Sequence, residues 1–419
     1  MNRLVDPEVA PISFMLDGHS VTAQAQETIL QVAQKSGVDI PHLCYSEGLR
    51  ADGNCRACMV EIEGERVLAP ACCRQPTEGM NVQSTSDKAL RSQSLVLELL
   101  KGEVGAARHS PMSELEYWCE NRGLSESRFG GRTQPPADQS HPAIAVNLES
   151  CIQCTRCLRA CREEQVNDVI GLAYRGARAE IVFDLADGMG DSSCVGCGEC
   201  VQACPTGALM PSGNVAQETG DTTVDSVCPY CGVGCLLTYH IKDKKIEYVT
   251  GRDGPANHGR LCVKGRYGFD YVSHPDRITQ PLIRRDGVTK GLTDQFDPKN
   301  PLKSFRPASW DEALDFAVQG FKAILSQNGP NALSGFGSAK GSNEEAYLFQ
   351  KLIRTGFGSN HVDHCTRLCH ASSVAALLEG IGSGAVSNQV ADVARAEVII
   401  VIGANPTENH PVAATFMKN

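Results

Sequence analysis

Twenty cysteines in 419 residues, most of them only two or three residues from the next, constrain this chain more than any other feature. Thiols at that density serve either as disulfide bridges or as metal ligands. Met1 to Ala10 carries charges and a proline, with no apolar run behind a basic segment, so no secretory or twin-arginine signal is expected. No stretch approaches the roughly eighteen apolar residues of a membrane span. A chain of this kind is expected to stay in a reducing cytoplasm, where the thiols are ligands rather than bridges.

Charge and length set further bounds. Lys plus Arg number 39 and Asp plus Glu 49, a formal net charge of -10. A nucleic-acid surface normally shows a basic excess, so that class of partner is not expected. A small anionic substrate remains compatible, because a local basic pocket can sit in an acidic protein. The length suggests three or four folded units.

Two cysteine runs share one spacing. Cys151, Cys154, Cys157 and Cys161 are separated by two, two and three residues, and Cys194, Cys197, Cys200 and Cys204 repeat those gaps before Pro205. This is the bacterial two-cluster ferredoxin pattern. Three close thiolates can wrap three corners of a cubane, and the fourth ligand comes from the other run. The pattern therefore predicts one [4Fe–4S] cluster on Cys151, Cys154, Cys157 and Cys204, and another on Cys194, Cys197, Cys200 and Cys161. Zinc sites or a disulfide framework would not impose the doubled spacing.

Along the chain, residues 1–88 read as a small domain. Ser13–Leu16 and Ser20–Thr22 flank the Asp17-Gly18 turn as a hairpin. Glu27–Ser36 has helical spacing and stops at Gly37. Met59–Ile62 and Arg66–Leu68 read as strands around Gly64. Residues 89–142 read as a helical tether, with an apolar helix over Leu90–Leu100. Residues 143–220 hold the doubled cysteine run, and residues 221–285 a further cysteine group among short strands. From 286 to 419 the pattern becomes α/β. Ser309 with Glu312, and Ser342 with Glu345, are capping-box signatures opening helices. The run Glu397–Ile402 predicts a buried parallel strand ending at Gly403. A parallel sheet needs more strands than this segment supplies, so the sequence is expected to be the front part of a longer polypeptide. The expected fold class is multidomain, α+β and α/β.

The N-terminal group is Cys44, Cys55 and Cys58, followed by Cys72 and Cys73. A long loop, a close pair and a distant fourth thiolate suit a [2Fe–2S] rhomb, with zinc as the alternative. The segment resembles the β-grasp domain at the head of iron-only hydrogenases and of the large peripheral subunit of respiratory complex I. That resemblance implies Cys72, in Pro70-Ala71-Cys72-Cys73-Arg74-Gln75-Pro76, as the fourth ligand, with Cys73 as a neighbour that could exchange with it. Those families often continue with a cluster held by one His and three Cys. Here only His109 and Cys119 stand in that region, and no such cluster is expected.

Cys228, Cys231, Cys235 and Cys262 form a fourth group. Cys228-Pro229-Tyr230-Cys231-Gly232-Val233-Gly234-Cys235 and Gly259-Arg260-Leu261-Cys262-Val263-Lys264-Gly265 resemble the N-terminal cluster domain of molybdopterin-guanine-dinucleotide oxidoreductases. The resemblance implies a third [4Fe–4S] cluster, with Lys264 between cluster and pterin. A surface lysine is the plainer reading of Lys264.

Val362-Asp363-His364-Cys365-Thr366-Arg367-Leu368-Cys369-His370 resembles the formate dehydrogenase motif. The resemblance implies Cys369 as a ligand of Mo or W and His370 as its neighbour at the substrate. A soft thiolate suits a metal already held by dithiolene sulfurs, and imidazole titrates near working pH. A helical zinc site and ordinary core residues are the alternatives. The glycines of Gly335-Phe336-Gly337 and Gly382-Ser383-Gly384 are weak dinucleotide signals, better read as pterin-lining. Gly403, Asn405 and His410 resemble the segment of the same family that contacts a guanine dinucleotide. No P-loop is present. The Ser342–Glu345 helix start is too acidic for a phosphate.

Together these resemblances imply the large subunit of a soluble, NAD-linked formate dehydrogenase. Its cofactors would be one [2Fe–2S] cluster, three [4Fe–4S] clusters and a bis-molybdopterin guanine dinucleotide with Mo or W. It would interconvert formate and carbon dioxide and pass electrons to a flavin- and NAD-binding iron–sulfur partner. The substrate-binding arginine of that family is expected beyond Asn419. Cys73, Cys119 and Cys365 are left without a role. The alternatives are another molybdopterin oxidoreductase such as a nitrate reductase, which lacks the Cys-His pair, and a complex-I-like electron-transfer subunit without catalysis.

Overall fold

Strands β1 (Ile12–Leu16) and β2 (His19–Ala23) form the antiparallel hairpin about Asp17 and Gly18, both of which adopt positive φ. Helix α1 (Ile29–Lys35) starts at Thr28, whose hydroxyl accepts from the Gln31 amide while the Gln31 side chain closes a capping box. It buries Ile29, Leu30, Val32 and Ala33 on a mixed sheet ordered β2-β1-β5-β3-β4. The other strands are β3 (Met59–Ile62), β4 (Ala69–Pro70) and β5 (Asn81–Gln83), with β5 parallel to β1. The predicted strand at Arg66–Leu68 is corrected to β4. Val60 pairs with Ala69, so residues 63–68 form the loop, and Val67 lies exposed. The computed structural model describes residues 10–104, 113–214, 220–290, 297 and 299–419. His109, and nearly all of the N-terminal stretch read for an export signal, lie outside those residues.

Helices α2 (Asp87–Glu103) and α3 (Glu114–Asn121) occupy the region read as a tether. They do more than connect. Leu97, Leu115, Trp118 and Cys119 share one core with Leu43, Cys44, Ala57, Ile152 and Cys154. Cys119 is fully buried there, a core residue.

The doubled cysteine run is a structural repeat as well as a spacing repeat. The first half carries β6 (Ile144–Val146), α4 (Arg156–Arg159) and the hairpin β7 (Ile170–Ala173) and β8 (Glu180–Phe183). The second carries α5 (Glu199–Ala203) and β9 (Leu209–Pro211), which pairs back to β6. Gln153 and Thr155 have φ of 52° and 60°, and their counterparts Gly196 and Gly198 have 65° and 74°. The left-handed turns that wrap a cubane are thus made by glycine in one run. In the other they are made at a steric cost, of order 1–3 kcal/mol per residue.

A three-stranded sheet follows, β10 (Thr222–Val227), β11 (Leu236–Lys242) and β12 (Lys245–Gly251), then the short α6 (Val263–Tyr267). Tyr271–Asn388 forms a unit of its own. It contains the pair β13 (Leu282–Arg284) and β14 (Phe305–Pro307), helix α7 (Trp310–Asn328), strand β15 (Gly335–Gly337), helix α8 (Asn343–Lys351), strand β16 (Val362–His364) and helices α9 (Thr366–Cys369) and α10 (Ala371–Ile381). Ser342 and Glu345 complete a capping box on α8. Ser309 caps α7, but the Glu312 carboxylate turns to Arg306 at 2.6 Å instead of closing its box.

Gln389–Asn419 returns to the first unit through α11 (Pro406–Asn409) and α12 (Pro411–Lys418). The strand expected at Glu397–Ile402 is not formed, and Ile400 and Ile402 lie exposed. A strand needs a neighbour to take its backbone hydrogen bonds, and none among the described residues pairs with this run.

Candidate functional site

None of the twenty cysteines is in a disulfide. In the N-terminal domain the Cys44 loop, the Cys55–Cys58 turn and Cys72, two residues after β4, bring four sulfurs together. Hydrogen bonds from Cys55 and Cys72 hold the Cys44 thiol far below its usual range, and a bond from Cys72 lowers Cys58. The same bonds push Cys55 and Cys72 up. The Cys44 amide also points at the Cys55 sulfur, 3.4 Å away. Cys72 is buried in this group, whereas Cys73 is exposed with its sulfur 3.6 Å from that of Cys72.

The two ferredoxin-like runs exchange their last cysteines. Cys151, Cys154, Cys157 and Cys204 line one cavity, closed by Leu148, Ile181 and Leu209. Cys161 lies with the other set, close enough to add to the electrostatic load on Cys194, Cys197 and Cys200. Cys157 and Cys200 are close enough to act on one another, so the two sets adjoin. Backbone amides aim at sulfur in equivalent ways: Gln153 N to Cys151 Sγ at 3.4 Å, and Gly196 N to Cys194 Sγ at 3.3 Å. Such donors favour a charged sulfur.

Burial works against that charge. It pushes Cys154 and Cys197 up to about 12 and Cys151 up to about 11, with neighbouring thiols adding to the rise. Cys157 and Cys200 are raised further still, from the same cause. Thiols held this way become thiolates only against a compensating positive charge, which iron supplies. The donor set therefore fits iron–sulfur clusters.

Cys228, Cys231, Cys235 and Cys262 form the last thiol group. Cys228 N donates to Cys235 O at 2.9 Å, and burial with the other three thiols raises Cys235 to about 12. Val412, Ala413 and Phe416 of α12 cover Cys235 and Cys262. Lys264 is exposed on α6. Among the described residues no three His, Cys, Asp or Glu side chains close on a single ion, as a mononuclear zinc site would require.

In the separate unit, β16 delivers the motif to a turn. Asp363 binds Arg367 at 2.9 Å, and the His364 amide holds the Asp363 carboxyl below the usual range. His364 Nδ1 meets Thr366 Oγ1 at 2.5 Å. Cys369 ends α9 and His370 caps α10, with Cys369 Sγ 3.7 Å from His370 Nε2; both side chains are exposed. Cys365 is also exposed, its sulfur 3.9 Å from His364 Nδ1. Gly335–Gly337 is a strand rather than a loop, paired in parallel with the motif strand, and Gly382 is the left-handed cap of α10. Gly403 has φ of 66°, Asn405 precedes α11 and accepts from Thr407 at 2.5 Å, and His410 precedes α12. These three residues lie exposed in the first unit.

The sequence reading missed four buried arginines. Arg156 pairs with Glu114 at 2.7 Å, and Arg159 with Asp52 at 3.1 Å. Arg260 pairs with Glu164 and lies over the Phe416 ring. Arg266 pairs with Glu199 at 2.7 Å and donates to Cys197 O at 2.8 Å and to Gln202 Oε1 at 2.9 Å. Arg156 and Glu199 occupy the same position of the repeat, as do Arg159 and Gln202. Each run thus uses the same two positions to dock a neighbouring domain. For Arg156 and Arg159 the available signal was a charged residue inside a ligand run.

Family models match in order along the chain. A 2Fe-2S iron–sulfur cluster binding domain matches residues 9–87, and a 4Fe-4S dicluster domain residues 150–208. The molybdopterin oxidoreductase Fe4S4 domain matches 221–274, and the molybdopterin oxidoreductase model 277–419. The chain is 31% identical over 401 residues to the NADPH-Fe(3+) oxidoreductase subunit alpha of Geobacter sulfurreducens, covering 94% of this chain and 44% of that one. It is 30% identical over 449 residues to a protein of Staphylococcus haemolyticus provisionally named formate dehydrogenase, covering 96% and 44%. The chain thus spans less than half the length of these relatives. Among solved structures, an NAD+-reducing [NiFe]-hydrogenase in its H2-reduced state aligns at 27% identity and a TM-score of 0.45, covering 48% of this chain and 88% of that one. No helix among the described residues is long and apolar enough to cross a membrane.

Proposed function

We propose that this chain, whose segments match iron–sulfur and molybdopterin oxidoreductase family models, oxidises formate to carbon dioxide, reversibly, and conducts the electrons through its cysteine groups. The carrying observation is the Cys369–His370 pair at the end of the β16 turn, with sulfur and imidazole 3.7 Å apart. A pterin-held Mo or W, with one [2Fe–2S] and three [4Fe–4S] clusters, would take up the two electrons of formate and pass them on singly. Cys369 would hold the metal through its sulfur. His370 would orient formate or carry away its proton at Nε2. Arg367 is committed to Asp363 and keeps the turn in shape.

The ligand sets follow from the four thiol groups. Cys44, Cys55, Cys58 and Cys72 would hold the [2Fe–2S] cluster. Cys151, Cys154, Cys157 and Cys204 would hold one [4Fe–4S] cluster, and Cys161, Cys194, Cys197 and Cys200 the next. Cys228, Cys231, Cys235 and Cys262 would hold the third, with Lys264 toward the pterin. Gly403, Asn405 and His410 would contact the guanine dinucleotide. Electrons would leave for a flavin- and NAD-binding partner in the cytoplasm.

A second reading rests on the Geobacter relative: an electron-transfer subunit linked to NADPH and ferric iron. Anoxic reduction of a viologen dye by the full-length protein tests both. Viologen takes electrons from clusters directly, so no partner is needed. Formate-dependent reduction is the expected result. No reduction by formate, in protein that holds pterin and metal, would defeat the formate reading.

A further inference from the structure

Arg159 is buried, with its side chain 1% exposed. Its guanidinium spans two domains. On one side it donates to the carbonyl of Cys44 at 2.5 Å and to the carbonyl of Arg50. On the other it donates to the carbonyl of Cys154 at 3.3 Å. Cys44 and Cys154 belong to different thiol groups, so a single side chain touches the backbone of both. Asn54 reinforces the same junction, donating to Cys154 O at 3.3 Å and Thr155 Oγ1 at 3.1 Å.

The charge on Arg159 is only partly answered. Asp52, its ion partner at 3.1 Å, is 24% exposed and shares its carboxylate with Arg50, 71% exposed, at 3.2 Å. Water screens the anion far better than the buried cation. The internal repeat supplies a built-in comparison. The second run has neutral Gln202 where the first has Arg159, although both positions dock a neighbouring domain. A fold that docks without charge at one position has no steric need of it at the other.

We propose that Arg159 is a positioning residue that couples the N-terminal thiol site to the Cys151 site, and that its fixed positive charge between them favours the reduced form of each. This rests on the ligand sets proposed above. A cluster gains one negative charge on reduction, and a buried cation nearby stabilises that charge. Both sites on the N-terminal side become better electron acceptors than they would otherwise be. The hydrogen bonds of Arg159 go to the backbone of Cys44, Arg50 and Cys154 and not to the Cys228 site, which does not share the effect.

The test is a redox titration of the full-length, cluster-loaded protein followed by paramagnetic resonance. Arg159→Gln copies the residue of the second run. It is expected to move the [2Fe–2S] midpoint and one [4Fe–4S] midpoint to lower potential, leaving the Cys228 cluster unmoved. Arg159→Lys should restore part of the shift. Asp52→Asn, at a more exposed position, removes the compensating anion and should move the same two midpoints upward, which keeps the test decisive if Arg159→Gln does not fold. Unmoved midpoints, all clusters moving together, or a downward shift in Asp52→Asn would overturn the proposal while the ligand sets stood. A wild-type protein without a [2Fe–2S] signal would overturn the ligand sets and the proposal with them.

Discussion

Replacing Glu199 with Gln should uncouple the second cysteine run from the domain that follows it. Glu199 is 8% exposed and Arg266 3%, and their charged atoms are 2.7 Å apart. Glu199 Oε1 also accepts from the Leu261 amide at 2.8 Å, one residue before Cys262. Glutamine keeps the shape and one acceptor oxygen but leaves Arg266 buried without its counterion. Breaking a buried pair from one side costs about 3–5 kcal/mol. In a domain of some 150–250 residues each kcal/mol moves the melting midpoint by roughly 2–4 °C, so Glu199→Gln should melt roughly 6–20 °C below wild type. Calorimetry of the cluster-loaded protein is the assay. The double variant Glu199→Leu with Arg266→Met removes both charges and should recover a large part of the loss. A single variant within about 1 °C of wild type, or a double variant worse than the sum of its singles, would refute the reasoning.

Gly198→Ala would place a methyl group against the Arg266 side chain and the Tyr267 hydroxyl, at a φ of 74°; a loss of about 2–4 kcal/mol is expected, read by denaturant titration against Gly130→Ala, where an added Cβ meets none of the described residues within 4 Å. Cluster-free protein should lose stability as pH rises. The folded pKa values of Cys154 and Cys197, about 12 against an ordinary 9.0, lie above the unfolded ones. Their contribution is therefore complete below pH 9 and disappears between 9 and 12, at about 1.4 kcal/mol per thiol per pH unit. Thermal melts at pH 8 and pH 10 check this, and equal midpoints would count against it. Cys369→Ser should abolish formate-dependent viologen reduction while leaving every cluster signal countable; undiminished turnover would remove Cys369 from the chemistry.

The cysteine groups were legible in the sequence because the gathering of thiols at such short spacings is largely a local matter. Gaps of two and three residues fix which sulfurs can face one space, and the exchange of Cys161 and Cys204 follows from the reach of a short loop. The hairpin at Asp17-Gly18 and the caps at Ser309 and Ser342 were legible for the same reason. What lay hidden depends on distant segments. Arg159 reads as one more surface charge until the Cys44 loop closes over it, and Arg266 until Glu199 meets it. Glu397–Ile402 has the composition of a strand, but composition cannot supply the neighbour that would make it one. Arg66–Leu68 failed by a few residues because register is set by the partner strand, where Val60 chooses Ala69.

The return of α12 to the first unit has a consequence for the order of events on the ribosome. Val412, Ala413 and Phe416 cover the thiols of Cys235 and Cys262, and Thr415 accepts from Arg260 at 3.0 Å, yet all of Tyr271–Asn388 is translated in between. At roughly 5–20 residues per second, the Cys228 pocket is synthesised on the order of ten seconds before its cover. During that interval the nascent chain presents four finished thiol positions beneath an open roof. The discontinuous layout thus separates in time the synthesis of the Cys228 thiol group from that of the helix that packs on it.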